Sequence, residues 1–252
     1  MTRTNEHGQP IGEAVDWEGA PAPVPVVLTG RYVTVCGLEH EHAPALYDAL
    51  CGPEDAALWT YRIAGMPATP AAMDTVVAGL LAHPTEVTFA ICPRGRGPEG
   101  IATLMRADPP NGVVEVGGIV LARSLQRTPA STEAMYLLAH HVFDALGYRR
   151  YEWKCDSLNE PSRLAASRLG FTYEGRFRHA MVYQGRNRDT DWFSITDDEW
   201  PRVRAAHEAW LDRANFDESG AQRTRLGDLT APEGGCRRSV AESAAWLPTP
   251  PS

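Results

Sequence analysis

The sequence has no Cys-x-x-Cys pair, no internal repeat, no metal-ligand triad and no evident nucleophile–base pair. Its five cysteines, Cys36, Cys51, Cys92, Cys155 and Cys236, are odd in number and widely spaced. That argues against a disulfide framework or a zinc site, and for reduced thiols in a cytoplasmic protein. No apolar run approaches the about 20 residues that cross a bilayer. The N-terminal residues also lack the pattern of a signal peptide. Positive charge is in deficit, with 24 Lys and Arg against 32 Asp and Glu and a net charge of −8. General nucleic-acid binding and adhesion to an anionic membrane are therefore not expected. The exception is local: Arg176, Arg178, His179, Arg186 and Arg188 crowd one stretch. It reads either as a solvated hairpin or as a surface for a phosphate-bearing ligand.

Hydrophobic residues make up 43% of the 252, enough for a full core. Residues 1–28 turn rich in Pro and Ala and read as an irregular arm, with Trp17 as its anchor on the domain. Residues 29–214 carry the periodic segments and read as one domain. Residues 215–252 read as a largely irregular, loosely attached extension. Within the domain, Tyr32–Val35 begins a strand, 42–51 and 53–61 are helical, and 70–82 forms a helix started by Pro70. Strands follow at 87–92, 101–106 and 113–121. Gly117-Gly118 interrupts the last of these, a sign of a bulge or a close backbone approach. The strongest helix is 128–146, closed by Gly147. A long hairpin of 171–183 and 190–196, turning at Gly185-Arg186-Asn187, precedes a final helix at 198–211. This order predicts an α/β fold: a mixed, mostly antiparallel sheet with helices on both faces.

The segment 150–171 is the most informative. Tyr151, Trp153 and Cys155 alternate with charged residues, the period of a strand. Asn159 has the chemistry of a helix N-cap, Pro161 sits in the first turn, and Gly170 ends the helix. A polar pair at the mouth of a strand–helix crossover is a common place for a ligand.

The ordered series Glu115-Val116-Gly117, Gln126 to Ala134, Asp156…Asn159…Ser162, Arg168-Leu169-Gly170-Phe171 with Glu174-Gly175, and Gly185-Arg186-Asn187-Arg188-Asp189 resembles the Gcn5-related N-acetyltransferases. Within them it is most similar to the branch of ribosomal-protein N-acetyltransferases. The resemblance covers roughly residues 30 to 212 and is most specific in its C-terminal half. It implies the matching fold, acetyl-CoA as cofactor, and direct attack by an amine on a thioester.

Carried over residue by residue, the resemblance puts the cofactor's diphosphate at Gln126, Arg127, Thr128, Ser131 and Thr132, where a helix start offers free N–H groups. The family's glycine-rich pattern is broken here: Pro129 has no N–H to give. The hydroxyls at 128, 131 and 132 and the Arg127 side chain are the expected substitutes. The alternative is that Thr128-Pro129 simply starts a helix. The Ile119 N–H, just past the paired glycines, is the expected oxyanion donor. Ser162 is the expected group at the departing sulfur, where many family members carry a tyrosine at the position of Ala166. Asn159 binds the pantetheine arm or only caps the helix. Glu115 is the first candidate for the base. It reads equally as a strand carboxylate paired with Arg106. A second glutamate of the branch is replaced by Met181. Trp59, Tyr61 and Trp192 are candidates for the acceptor pocket or for the core.

The expected activity is transfer of acetyl from acetyl-CoA to a primary amine of a small molecule, an amino acid or a protein N-terminus. A homodimer is left open. Two alternatives stand beside it: a catalytically degenerate relative that binds a ligand or partner, and a self-protection enzyme acting on an aminoacyl-nucleotide-like toxin.

Overall fold

A computed structural model describes residues 3–231 of the chain. Cys236 and residues 232–252 of the extension lie outside them. Strands β1 (Arg3–Thr4) and β2 (Pro10–Ile11) form a small antiparallel ladder in the arm. The main sheet contains β3 (Val27–Thr29), β4 (Val33–Gly37), β5 (Val87–Pro93), β6 (Gly100–Asp108), β7 (Val113–Leu121), β8 (Arg150–Asp156), β9 (Thr172–Tyr183) and β10 (Arg186–Thr196). Its order is β3-β4-β5-β6-β7-β8-β10-β9, and only β7 and β8 pair in parallel. This is the mixed, mostly antiparallel α/β architecture expected from the sequence.

Proline in the first turn is a recurring helix start in this chain. In α1 (Ala43–Leu50) and α2 (Pro70–Leu81), and again in α3 (Pro129–His140) and α4 (Glu160–Arg168), a proline sits in the first two positions. Thr69, Thr128 and Asn159 cap the last three by accepting a backbone N–H with the side-chain oxygen. Two later helices, α5 (Trp200–Leu211) and α6 (Leu226–Leu229), complete the set. Strands β5 and β6 are buried almost continuously, as strands covered on both faces are. Phe89, Ile91, Leu104, Leu138, Phe193 and Ile195 are fully buried, and each contributes about 2–3 kcal/mol by leaving water. Glu133 of α3 fixes the start of β4: its carboxylate accepts the backbone N–H groups of Arg31, Tyr32 and Val33 at 2.8, 2.6 and 3.0 Å.

Four local expectations change. The long helix does not run unbroken to Leu146. It widens into a π turn over His141–Ala145, with Leu146 N–H bonded to the His141 carbonyl. The wider turn lets three consecutive residues, His141, Val142 and Phe143, all be buried, and Phe143 stacks on Trp200 at 4.9 Å. The hairpin is tighter than expected: Gln184 and Gly185, both at positive φ, form a two-residue turn, and pairing resumes at Arg186. The arm is not wholly irregular, because β3 pairs with β4. Trp17 does anchor it, donating to the Pro110 carbonyl at 2.7 Å. Finally, the segment 216–231 docks on the domain at both ends, although 217–225 are exposed. Phe216 meets Trp210 edge-on at 5.1 Å, and Leu226 is fully buried. The hydroxyl of Thr230 donates to the Arg168 carbonyl.

Candidate functional site

The parallel ladder between β7 and β8 runs only from Val113↔Arg150 to Val116↔Trp153. Beyond it, β7 continues on β6 to Leu121, and β8 continues on β10 to Asp156. The two strands therefore part company after Val116 and Trp153. Their facing backbone groups have no ladder partner there, the condition under which an extended chain can be added. On β7 the register against β6 slips between Ile101↔Val120 and Thr103↔Gly117. Gly118 and Ile119 together oppose Ala102, a bulge.

The bulge needs glycine. Gly118 has φ +63°, and a Cβ there would lie 2.8 Å from the Thr103 hydroxyl. Thr103 cannot easily yield, since it is fully buried and bonded to Thr88 at 2.9 Å.

Ser162 lies beside the split through its link to β8: the Trp153 indole N–H donates to its hydroxyl at 3.0 Å. Cys155 is buried, and burial pushes its thiol up to about 11, so it stays a thiol. Asn159 accepts the Ser162 N–H at 3.2 Å and is a genuine cap. At the start of α3, the hydroxyls predicted to face a diphosphate donate inward. Thr128 donates to the Leu125 carbonyl, and Ser131 and Thr132 both donate to the Thr128 carbonyl. Gln126 donates to the Leu121 carbonyl. The backbone N–H groups of Arg127 and Thr128 have no acceptor among the described residues. The exposed Arg127 takes φ +60°. The donors this helix start can offer are therefore main-chain N–H groups and the Arg127 side chain.

The other face of β8 carries a charge network. Register places Glu115 beside Glu152, and Lys154 beside Trp192. The Lys154 ammonium bridges Glu115 at 3.0 Å and Glu152 at 2.8 Å, and lies 3.7 Å from the centre of the Trp192 ring. Arg106 holds Glu115 from the opposite side at 2.6 Å. Both glutamates are buried. The pairing of Glu115 with Arg106 raised from the sequence is thus present, with Lys154 as a second cation. Phe177 packs on Trp192 at 4.6 Å, and the Trp192 N–H is buried without a partner among the described residues.

Tyr61 reaches the same end of the molecule, its hydroxyl donating to the Leu158 carbonyl at 3.0 Å. Trp59 does not. It is buried in the core, with its N–H bonded to the Leu50 carbonyl. Lys154 and Tyr183 were not singled out from the sequence. Tyr183 donates to the buried Asp156 at 2.8 Å, and burial, then that bond, raises the pKa of its phenol. The signal that could have found Lys154 is its strand alternation opposite Trp153.

A separate cavity of about 330 Å³ lies beneath the N-terminal arm, lined by Trp17, Phe143, Arg149, Asp197 and Trp200 among others. It shares no residue with the split. The unpaired strand edges and the bulge, not cavity size, make the split the candidate site.

Known proteins share this fold. The profile of the acetyltransferase (GNAT) domain matches residues 33–172. A GCN5-related N-acetyltransferase from Brucella melitensis is 40% identical, with a TM-score of 0.83, over 85% of this chain and 98% of that one. A probable GNAT-family acetyltransferase from Chromobacterium violaceum is 33% identical, with a TM-score of 0.71, over 77% and 99%. RimL, a ribosomal alpha-N-protein acetyltransferase, shares the fold at 20% identity and a TM-score of 0.60, over 71% and 99%. No curated protein matches. Among the described residues no helix is long and apolar enough to cross a membrane.

Proposed function

The chain belongs to the GNAT family of N-acetyltransferases, and from that premise we propose that it transfers acetyl from acetyl-CoA to a primary amine by direct attack. The observation that carries this reading is the parting of β7 and β8 beside the bulge at Gly118. When bound, the cofactor supplies an activated acetyl thioester; all else falls to the chain. The unpaired edge of β7 holds the pantetheine arm as an added strand. The N–H at Ile119 faces the carbonyl oxygen as negative charge builds on it. The backbone N–H groups at Arg127 and Thr128, with the Arg127 side chain, hold the diphosphate. The missing Cβ atoms of Gly117 and Gly118 make way for Met105 and Thr103 of β6, which lets the bulge form.

Ser162 accepts from Trp153 and its hydroxyl also engages the Cys155 thiol; turning from that thiol brings its proton to the departing sulfur. Glu115 takes the proton of the attacking amine directly or through water. The acceptor is a small amine, an amino acid or a protein N-terminus, met by Tyr61 and Trp192. The four described cysteines are free thiols, which suits a reducing compartment such as the cytoplasm.

One observation favours the second reading, a relative that binds without turnover: the hydroxyls at 128, 131 and 132 are engaged within the protein. Calorimetry with acetyl-CoA and with CoA, followed by release of free thiol in the presence of a panel of amines, separates the two. Binding with amine-dependent thiol release is expected. Binding without release, or absence of binding to either ligand, moves the assignment to the second reading.

A further inference from the structure

Residues 55–62 form a strap across the open end of the split. Arg123, just beyond β7, bonds Asp55 at 2.9 Å. The Tyr61 hydroxyl reaches the Leu158 carbonyl, just beyond β8. Gln184 at the hairpin tip donates to the Arg62 carbonyl at 2.8 Å. The strap is thus tied to the ends of both diverging strands and to the hairpin.

Arg62 is half-buried in this strap, and burial pulls its guanidinium pKa below the ordinary arginine value. Among the described residues it is the half-buried arginine whose side chain meets no acceptor. Others have theirs: Arg150 holds Glu152 and Glu174, Arg168 holds Thr132 and the Trp210 ring, and Arg202 reaches the Thr230 carbonyl. Arg188, on the hairpin that the strap touches, is also half-buried, donates only to the Thr190 hydroxyl at 3.2 Å, and has no carboxylate partner among the described residues. A desolvated charge without a counter-charge destabilises a fold, and an anion from outside is what these two lack.

The carboxylates nearby point the same way. Glu115, Glu152 and Asp191 each already hold two basic side chains. Asp156 is held by Tyr183 and the Leu158 N–H. None is left to receive a second cation on an acceptor.

We propose that Arg62, assisted by Arg188, binds an anionic group, a carboxylate or a phosphate, carried by the amine that is acetylated. The proposal rests on the transferase reading and narrows its acceptor class.

The test uses the full chain, acetyl-CoA and two matched pairs of amines: phenylalanine against phenylalaninamide, and phosphoethanolamine against ethanolamine. In at least one pair the anionic member is expected to show kcat/KM higher by about tenfold or more, through KM. Arg62→Gln should bring that pair to within about twofold by raising KM for the anionic amine alone, with kcat and the neutral partner unchanged. The responding pair tells carboxylate from phosphate. Calorimetry of the four amines with the CoA-loaded protein should show the same preference. Ligand-free Arg62→Gln should melt no lower than wild type, because it removes an uncompensated charge.

Equal use and equal binding of both members in both pairs overturns the proposal. So does an equal loss for both members in the variant, or a lowered melting temperature that makes Arg62 structural. Weaker CoA binding by the variant would assign the anion to the cofactor and also overturn it. Should neutral amines react while anionic ones gain nothing, only this proposal falls. Should acetyl-CoA itself fail to bind, the transferase reading falls with it.

Discussion

The Trp153 indole donates to the Ser162 hydroxyl at 3.0 Å, tying β8 to the first turn of α4 beside the open split. Both residues depend on that bond. Trp153 is buried and needs an acceptor, and Ser162, by accepting, has its proton left for the Cys155 thiol or a ligand. Ser162→Ala should therefore lose about 1–2 kcal/mol of stability through the orphaned indole. Turnover should fall by tenfold or more, about 1.4 kcal/mol of barrier. Trp153→Phe should cost similar stability but less turnover, since it leaves the hydroxyl in place. Thermal melts beside thiol-release rates check this. Ser162→Ala with unchanged turnover removes Ser162 from the chemistry.

What could be read from the sequence follows from how local the signals are. Thr69-Pro70, Thr128-Pro129 and Asn159 with Pro161 start their helices as N-caps and first-turn prolines should, because capping is decided within four residues. Gly117-Gly118 announced its bulge for the same reason. The bridging of Glu115 by Lys154 was not legible. It depends on the parallel register Glu115↔Glu152, a pairing between distant segments that no local pattern encodes. The inward hydrogen bonds of Thr128, Ser131 and Thr132 were equally hidden, because a hydroxyl in the first turn of a helix can face the backbone or a ligand with the same sequence. The packing of Leu226 was masked by the polar composition around it.

Gly118 and Gly147 offer a matched pair, with φ +63° and +70°. An added Cβ meets nothing within 4 Å at Gly147, but meets Thr103 at 2.8 Å at Gly118. Gly147→Ala should cost about 1–2 kcal/mol from the left-handed backbone alone and leave turnover unchanged. Gly118→Ala carries the same strain plus the clash, and must move the bulge that, on the transferase reading, aims the Ile119 N–H. Its stability loss should exceed that of Gly147→Ala, and its turnover should fall by a further tenfold or more, about 1.4 kcal/mol. Urea midpoints and rates of the two variants decide it. Equal activity would detach the bulge from catalysis.

His207 is buried against the Tyr136 ring, with Nε2 3.0 Å from the Leu169 carbonyl. Burial drives its pKa down to about 4, against about 6.5 for an unfolded histidine. The unfolded chain therefore binds the extra proton first as pH falls. The stabilising contribution is complete above about 6.5 and is lost progressively from there down to about 4. Between pH 6.5 and 5 the loss should be on the order of 2 kcal/mol, before most carboxylates titrate. His207→Gln, which cannot charge, should flatten that part of the profile even if it starts less stable. A wild-type stability that is level from pH 7 to 5 would show that His207 does not titrate in this way.

Glu115 and Lys154 should be energetically coupled, and the coupling separates structure from chemistry. Their side chains are 3% and 10% exposed and 3.0 Å apart, so salt screens them little. Each keeps another partner when the other is removed: Arg106 for Glu115, and Glu152 for Lys154. Single replacements should therefore fall short of the about 3–5 kcal/mol that follows breaking an isolated buried pair. Glu115→Gln and Lys154→Met should each cost about 1–3 kcal/mol, and the double variant should cost less than their sum by about 1–2 kcal/mol. That coupling should persist in high salt. Turnover should behave differently. With Glu115 as the base, Glu115→Gln should lose kcat by about a hundredfold while still binding acetyl-CoA, whereas Lys154→Met should retain most of it. If both variants lose turnover only in proportion to their stability, Glu115 serves the sheet and the base lies elsewhere.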